Sequence, residues 1–497
     1  MGVETEAKLA AGPDLELPPL GDVIGGVEVV DAPPMTLDAR YFDAADLRLL
    51  RAGITLRHRT GEGGADGAWT AKLDVGGPRD GVARREEQVV PGPIDRLPGE
   101  LAARVRPWLR SAPLVEVAHL RTTRRPTFLA TEGEVVGEVD DDEVSVLVGD
   151  DVSARFREIE VETRDGDLLD RIVAALRDAG AGAPDPVPKI VRALGPAASE
   201  PPDVISPFLD ERSRAGDVLQ AGIASAVLQL VSSDGAVRAG TVEGIHKARV
   251  ACRRLRSDLR TFRSLVEDSW AEPLRGELRW LAGELGAVRD RDVLRKRLVE
   301  QIATLPDRDA AAADDVLRHL DGERAAALSR AIAALDSDRY LQLLDALVDA
   351  AARPPATSEA RRPALDVVPD LAGAAFRRLR RHVRRLPDRP SDEDLHDLRI
   401  QAKRARYAAD VALPVVGTPA KRYTRALSRL QDVLGELHDC YVADEWLHDA
   451  ATTSDGPTAF VLGELAAKQR EASAELRTRW RPAWKDASTH ARTGWMG

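Results

Sequence analysis

Val3-Glu4-Thr5-Glu6-Ala7-Lys8-Leu9 alternates strictly. In an extended chain, Glu4, Glu6 and Lys8 share one face, and Val3, Thr5, Ala7 and Leu9 share the other. One such run reads as a half-buried strand with a solvated charged face. The pattern recurs, however. Arg57 and Arg59 share a face in Ile54-Thr-Leu-Arg57-His-Arg59, and Lys72 follows in Thr70-Ala-Lys72. Arg85 pairs with Glu87, Arg121 lies in the next run, Glu138 pairs with Asp140, and Glu158, Glu160 and Glu162 share a face. Each run carries apolar residues opposite its charges.

A closed barrel explains this economically. Charged faces pointing inward give a lumen of carboxylates beside Lys and Arg, while the apolar faces pack outward against helices. Such a lumen is costly unless something charged fills it. Clustered carboxylates suit hard divalent cations such as Mg²⁺ or Mn²⁺, and arginines suit phosphate oxygens. Together they describe a metal-assisted phosphate site. About eight strands are expected, near 2–10, 27–31, 37–43, 53–60, 68–74, 84–90, 114–131 and 134–163, the last two regions each holding two. A helix is expected at 167–179, with Leu168, Leu169, Ile172, Ala175 and Leu176 on one face.

At 497 residues the chain suggests about two or three domains. Its net charge of −11 is uneven: residues 1–200 hold 24 Lys+Arg against 37 Asp+Glu, and residues 201–497 hold 47 against 45. Aromatics are 4%, a thin supply of stacking surfaces, and with the negative balance this counts against nucleic acid as a partner. Two cysteines, Cys252 and Cys440, rule out a disulfide framework or a Cys-rich zinc site. The first residues lack the basic and apolar regions of a signal peptide, and the best apolar run, 223–231, is broken by Ser225 and Gln229. A soluble cytoplasmic protein without a membrane partner is the expectation.

After a Gly/Pro/Ser-rich linker at 196–206 the period becomes helical, with a second break at 353–363. The helical half contains a duplication. His246-Lys-Ala-Arg249-Val-Ala-Cys-Arg253-Arg254-Leu-Arg256 recurs as His396-Asp-Leu-Arg399-Ile-Gln-Ala-Lys403-Arg404-Ala-Arg406, and Leu285-Gly-Ala-Val-Arg289-Asp290 as Leu434-Gly-Glu-Leu-His438-Asp439. Two related bundles follow, at about 207–352 and 364–497. His246, Arg249, Arg253, Arg256, Arg260 and Arg263 step by three and four along one helix face, apart from the apolar Leu255, Leu259, Phe262 and Val266. The second repeat sets His396, Arg399, Lys403 and Arg406 beside Leu398, Ala402, Ala405 and Ala409, and a third basic cluster spans 377–385. Cations in line repel one another, so a linear polyanion is a natural partner.

Residues 1 to about 195 resemble the CYTH superfamily, the triphosphate tunnel metalloenzymes. The resemblance rests on Glu4-Thr-Glu6-Ala-Lys8 followed in family order by Arg57/Arg59, Lys72, Arg85/Glu87, Arg121, Asp140, Glu158/Glu160/Glu162 and Lys189; Pro188 stands where the family often has Ser. It implies an eight-stranded antiparallel tunnel that hydrolyses a triphosphate. Metal ligands would come from Glu4, Glu6, Asp140, Glu158 and Glu160, and catalysis from Glu4, Glu6, Lys8, Glu158 and Glu160. Substrate would lie against Lys8, Arg57, Arg59, Lys72, Arg85, Arg121 and Lys189. The helical half, about 207–497, resembles CHAD, the conserved histidine α-helical domain. That implies two bundles related by pseudo-twofold symmetry and inorganic polyphosphate bound by His246, Arg249, Arg253, Arg256, Arg260, His396, Arg399, Lys403 and Arg406.

The expected protein is therefore α+β and multidomain: a tunnel at 1–195 and an all-α domain at 207–497. The expected reaction is metal-dependent hydrolysis of inorganic tripolyphosphate to pyrophosphate and phosphate, in the cytoplasm and at polyphosphate granules. The alternatives are thiamine triphosphatase or adenylate cyclase activity on the same fold, and a polyphosphate-binding scaffold without catalysis.

Overall fold

The computed structural model describes residues 5–23, 25, 27–62, 67–74, 85–185 and 187–496. Contacts divide the chain into two compact units, Met1–Asp203 and Val204–Gly497.

The first unit contains β1 (Thr5–Ala11), α1 (Leu20–Val23), β2 (Glu28–Asp31), β3 (Met35–Asp43), α2 (Arg48–Arg51), β4 (Ile54–Thr60), β5 (Ala68–Asp74) and β6 (Arg85–Pro91). It continues with α3 (Gly99–Leu109), β7 (Val115–Thr131), β8 (Glu134–Val148), β9 (Asp151–Thr163), α4 (Gly166–Asp178) and α5 (Lys189–Leu194). All described pairings are antiparallel, in the order β1-β9-β8-β7-β3-β4-β5-β6. Nine strands are present among the described residues; β2 pairs with β7 off the main path. The 114–131 region is one long strand, not two, because no residue within it turns the chain. The turn comes at Glu132 and Gly133, whose φ values of 53° and 85° suit a two-residue hairpin joining β7 to β8. The 134–163 region does divide in two.

Alternation positions the charges. On β1, β8 and β9, Leu9, Val139, Ile159 and Val161 face outward and pack on Leu168, Leu169, Ile172 and Leu176 of α4. On β4 and β5, Ile54, Leu56, Trp69 and Ala71 pack on Leu101, Val105 and Leu109 of α3. The intervening residues, Glu6, Lys8, Arg57, Arg59, Lys72, Glu160 and Glu162, are left to line the interior. The segment after α5 is not a free linker. Ala198 is buried, and Asp203 pairs with Arg51 at 2.9 Å and Arg110 at 2.5 Å.

The second unit is helical: α6 (Ala215–Arg238), α7 (Val242–Thr261), α8 (Asp268–Ile302), α9 (Ala310–Asp336), α10 (Asp338–Ala352), α11 (Ala364–Arg385), α12 (Asp392–Val416), α13 (Thr418–Ala451), α14 (Gly456–Leu476), α15 (Trp480–Ala487) and α16 (His490–Thr493). The duplication reaches the helix starts. Thr241 caps α7 and Ser391 caps α12, each accepting from a backbone N–H three residues on. The apolar stripes are buried as expected: Leu255, Leu259, Phe262 and Val266 after one cap, and Leu398, Ala402, Ala405 and Ala409 after the other. By length and composition α6 could cross a membrane, yet it buries Leu219, Ile223, Val227 and Leu230 within the unit.

Candidate functional site

The curved sheet encloses a cavity of about 440 Å³. Six cations line it, Lys8, Arg57, Arg59, Lys72, Arg124 and Lys189, together with Glu6, Glu62, Glu87, Glu138, Asp142, Glu160 and Glu162. Tyr41 is the single aromatic lining residue among those described. Glu160 is the hub. Lys8 Nζ lies 2.5 Å from both Glu6 and Glu160, Lys189 Nζ 2.8 Å from Glu160, and Arg124 Nη2 2.8 Å from Glu160. Lys72 pairs with Glu87 at 3.0 Å, and Arg59 with Glu62.

Burial alone would raise the pKa of Glu160. Lys189, Lys8 and Arg124 outweigh it and hold the carboxyl well below the usual carboxylate range. Glu162 lacks that support, so burial and the nearby Glu6 and Glu160 raise its pKa. Arg59 is lowered by burial and by the like charges of Arg57 and Arg124. Crowded carboxylates and crowded cations in one cavity are a stored electrostatic cost that a charged ligand relieves. Glu6, Glu160 and Glu162 offer oxygens that all lie within 4.8 Å of one another. That donor set, all hard oxygen, fits a hard divalent cation.

The structure redistributes the expected roles. Glu6, Lys8, Arg57, Arg59, Lys72, Glu160 and Lys189 all line the cavity. Glu4 lies outside the described residues, and Arg85 is placed only by its backbone at the start of β6. Arg121 faces outward: its side chain is 53% exposed and holds Asp38 at 3.0 Å. Arg124, three residues on, points inward in its place. The cause is local. On β3 and β7 the cavity wall is partly apolar, formed by Leu37, Ala39 and Leu120, so the charged Asp38 and Arg121 take the outer side. Asp140 and Glu158 are buried and do not line the cavity. Asp140 pairs with Arg124, and Glu158 with Lys189 at 2.9 Å. Burial pushes the Asp140 carboxyl up to about 8, against the pull of Arg124. These two support the cationic wall from beneath, and Glu162 takes the place expected for them in the acidic cluster.

In the helical unit, α7 and α12 bring the two basic stripes together. His246, Arg249, Arg253 and Arg399 line a cavity of about 240 Å³ with Arg289, Arg297, His438, Asp290 and Asp439. The repeated Leu-Gly…Asp blocks now have a physical role. A Cβ at Gly286 would stand 3.4 Å from Arg249 Nε, and one at Gly435 would stand 3.9 Å from Arg399 Nη2, so each arginine lies over bare backbone. Asp290 holds Arg249 at 3.2 Å. Reading α7 alone showed no acid on the stripe; the neighbouring helices supply Asp290 and Asp439. His396 and His438 are joined by one hydrogen bond between Nδ1 atoms 3.2 Å apart, one ring donating and the other accepting. Burial and then Arg399 lower both, His438 to about 4, so the pair is neutral near pH 7. Arg256 lies by Arg275 and Arg279, and Arg260 lines a separate basic pocket. Arg406 departs from expectation: its Nε donates to Gln431 at 2.9 Å, and it lines neither cavity.

The CYTH domain model matches residues 3–190 and the CHAD domain model residues 221–448. The chain belongs to the CYTH–CHAD proteins. Uncharacterized proteins from two strains of Mycobacterium tuberculosis are each 32% identical to it over 96% of this chain and 94% of their own length. PptA from Streptomyces chartreusis is similar over 55% of this chain and all of its own, with 26% identity and a TM-score of 0.46. The CHAD domain from the plant Ricinus communis is similar over 59% and 98%, with 24% identity and a TM-score of 0.47. A putative adenylyl cyclase from Hippeastrum, described as having a dominant triphosphatase activity, is similar over 40% and 99%, with 18% identity and a TM-score of 0.27. CYTH is a triphosphate tunnel fold with triphosphatase-like and cyclase-like members, and the charged cavity described above lies within the CYTH unit.

Proposed function

We propose that the CYTH unit hydrolyses inorganic tripolyphosphate to pyrophosphate and phosphate with Mg²⁺ or Mn²⁺, and that the CHAD unit binds inorganic polyphosphate. One observation carries the first part. Among the described residues, six cations and one aromatic ring line the cavity, which favours a grip on phosphate charge over one on a base.

Glu6, Glu160 and Glu162 would hold the cation, which when bound neutralises charge developing on the phosphate oxygens. Arg57, Arg59, Lys72 and Arg124 orient the chain of phosphates from the cavity walls. Lys8 and Lys189 keep Glu160 ionised. A carboxylate of the cluster orients water in line with a terminal phosphorus. The anhydride P–O bond breaks, pyrophosphate leaves, and the water oxygen stays on the phosphate. The experiment is ³¹P NMR of tripolyphosphate with the full chain and either metal. Equal build-up of pyrophosphate and phosphate supports the reading; an unchanged tripolyphosphate spectrum rejects it.

The second part rests on Arg249, Arg253 and Arg399 converging from two helices on one cavity. A flexible polyanion matches such a line of cations.

A further inference from the structure

Gly61 decides where the chain goes after β4. Its φ is 102°, and a Cβ there would stand 2.1 Å from the carbonyl oxygen of Thr36 on β3, so a residue with a side chain does not fit. The chain is thereby pressed against β3 just past the end of β4, and the next residue, Glu62, is turned to the cavity. Its carboxylate accepts a hydrogen bond from Arg59 Nη2.

An ion pair three residues apart at a strand end is commonly a solvated pair of little consequence. Three observations set this one apart. Both side chains line the cavity. Arg59 is also one of its crowded cations: burial and then Arg57 lower its guanidinium, Glu62 raises it, and Arg124 lowers it again. Lastly, Glu62 stands outside the sheet ladder, since the pairing of β4 ends at Thr60 towards β3 and at Arg59 towards β5. Glu87, the partner of Lys72, lies instead within the ladder, directly opposite Lys72. The Glu62 side chain is 38% exposed, so it has room to rotate away from Arg59 without disturbing a strand.

A carboxylate on a guanidinium takes the donor that a phosphate oxygen would otherwise use. A phosphate therefore reaches that donor by exchange. The trade of one anion for another cancels part of the gain from binding. It also leaves an anion at hand to take over Arg59 when a product departs. We propose that Glu62 is an internal counter-anion for Arg59, displaced by the incoming phosphate chain and returning as product leaves, so that it sets how tightly the cavity keeps its phosphates. This rests on the reading of the CYTH unit as a triphosphate hydrolase and adds a residue that controls its substrate and product affinity.

The test is Glu62→Gln in the full chain, which keeps the length and an accepting oxygen and removes the charge. In hydrolysis of tripolyphosphate, KM should fall roughly fivefold and pyrophosphate should inhibit roughly fivefold more tightly, the scale of one ion pair near a surface. Made together with Arg59→Gln, the same change should move neither constant by more than about twofold relative to Arg59→Gln alone. Titration with tripolyphosphate in EDTA repeats the comparison without turnover; the helical unit is the same in every variant, so the differences belong to the cavity. Unchanged KM and pyrophosphate inhibition in Glu62→Gln overturn the counter-anion and leave the phosphate reading standing. An equal gain with and without Arg59 overturns it too, because the carboxylate would then act by general repulsion. A wild type that neither hydrolyses nor binds tripolyphosphate overturns both.

Discussion

Arg124 Nη2 lies 2.8 Å from Glu160 and 2.7 Å from Asp142, joining β7 to β9 and β8 across the cavity wall. Removing the guanidinium would leave the buried Asp140 without its ion-pair partner, and Asp142 and Glu160 with only Lys189 and Lys8 to balance them. Arg124→Ala should therefore lose both activity and about 3–5 kcal/mol of stability, the usual cost of breaking a buried ion pair. Arg121→Ala, on the outer face, should stay within about 0.5 kcal/mol of wild type and keep its kcat/KM. Thermal melts and tripolyphosphate kinetics on both variants check the assignment. Equal kinetic loss in the two would show that the inward and outward faces are misassigned.

This contrast also marks how far the sequence could be read. Period-two alternation sufficed on parts of β1, β4 and β9, where it set Glu6, Lys8, Arg57, Arg59, Glu160 and Glu162 towards the cavity and Leu9, Ile54, Leu56, Ile159 and Val161 to the outer face. It failed on β7, where Leu120 lines the cavity and charge does not report direction. Asp140 and Glu158 share their strand faces with lining residues, so parity found them, but depth is not written in parity. The duplication located α7 and α12. It could not show that α11 would set Arg378 and Arg381 beside Arg260, because that meeting depends on how the helices pack.

The acidic cluster makes a metal prediction. Glu6→Gln with Glu162→Gln removes two of three clustered oxygens and relieves like-charge crowding, so the unit should stay folded. Metal-dependent hydrolysis should fall by at least a hundredfold, with the metal needed for half activation rising. Wild-type turnover at saturating Mg²⁺ in the folded double variant would remove the cluster from the mechanism.

Lys403 makes a pH prediction. Burial, then Arg253, Arg399 and Arg249, push its ammonium down to about 6, against the weaker pull of Asp439. His396 and His438 nearby are neutral near pH 7. Above pH 6 the free amine is neutral. A bound polyanion favours the charged form, so binding should take up a proton and tighten as pH falls from 8 towards 6. Calorimetry in buffers of different ionisation heat measures that proton directly. Lys403→Met should abolish the uptake; wild-type binding without uptake at pH 7.5 contradicts the assignment.

Asp258 makes a stability prediction. It is wholly buried on α7, neither carboxyl oxygen is hydrogen-bonded, and burial pushes it up to about 8 against the pull of Arg254, 3.7 Å away. The folded chain then holds a proton that the unfolded chain releases above about 4. Stability from this group is full below that pH and is lost as pH rises through 8. Asp258→Asn, neutral throughout, should melt higher than wild type at pH 8, with the gap closing towards pH 5. A variant less stable than wild type at pH 8 would mean that the carboxylate has an ionic role.

The central claim is that the CYTH unit selects by phosphate charge. Its most direct test is kcat/KM of the full chain for tripolyphosphate, ATP and thiamine triphosphate at one Mg²⁺ concentration. A cavity lined, among the described residues, by six cations and one aromatic ring predicts the highest value for tripolyphosphate, by tenfold or more. A higher value for ATP or thiamine triphosphate, or no phosphate release from any of the three with Mg²⁺ or Mn²⁺, would contradict it.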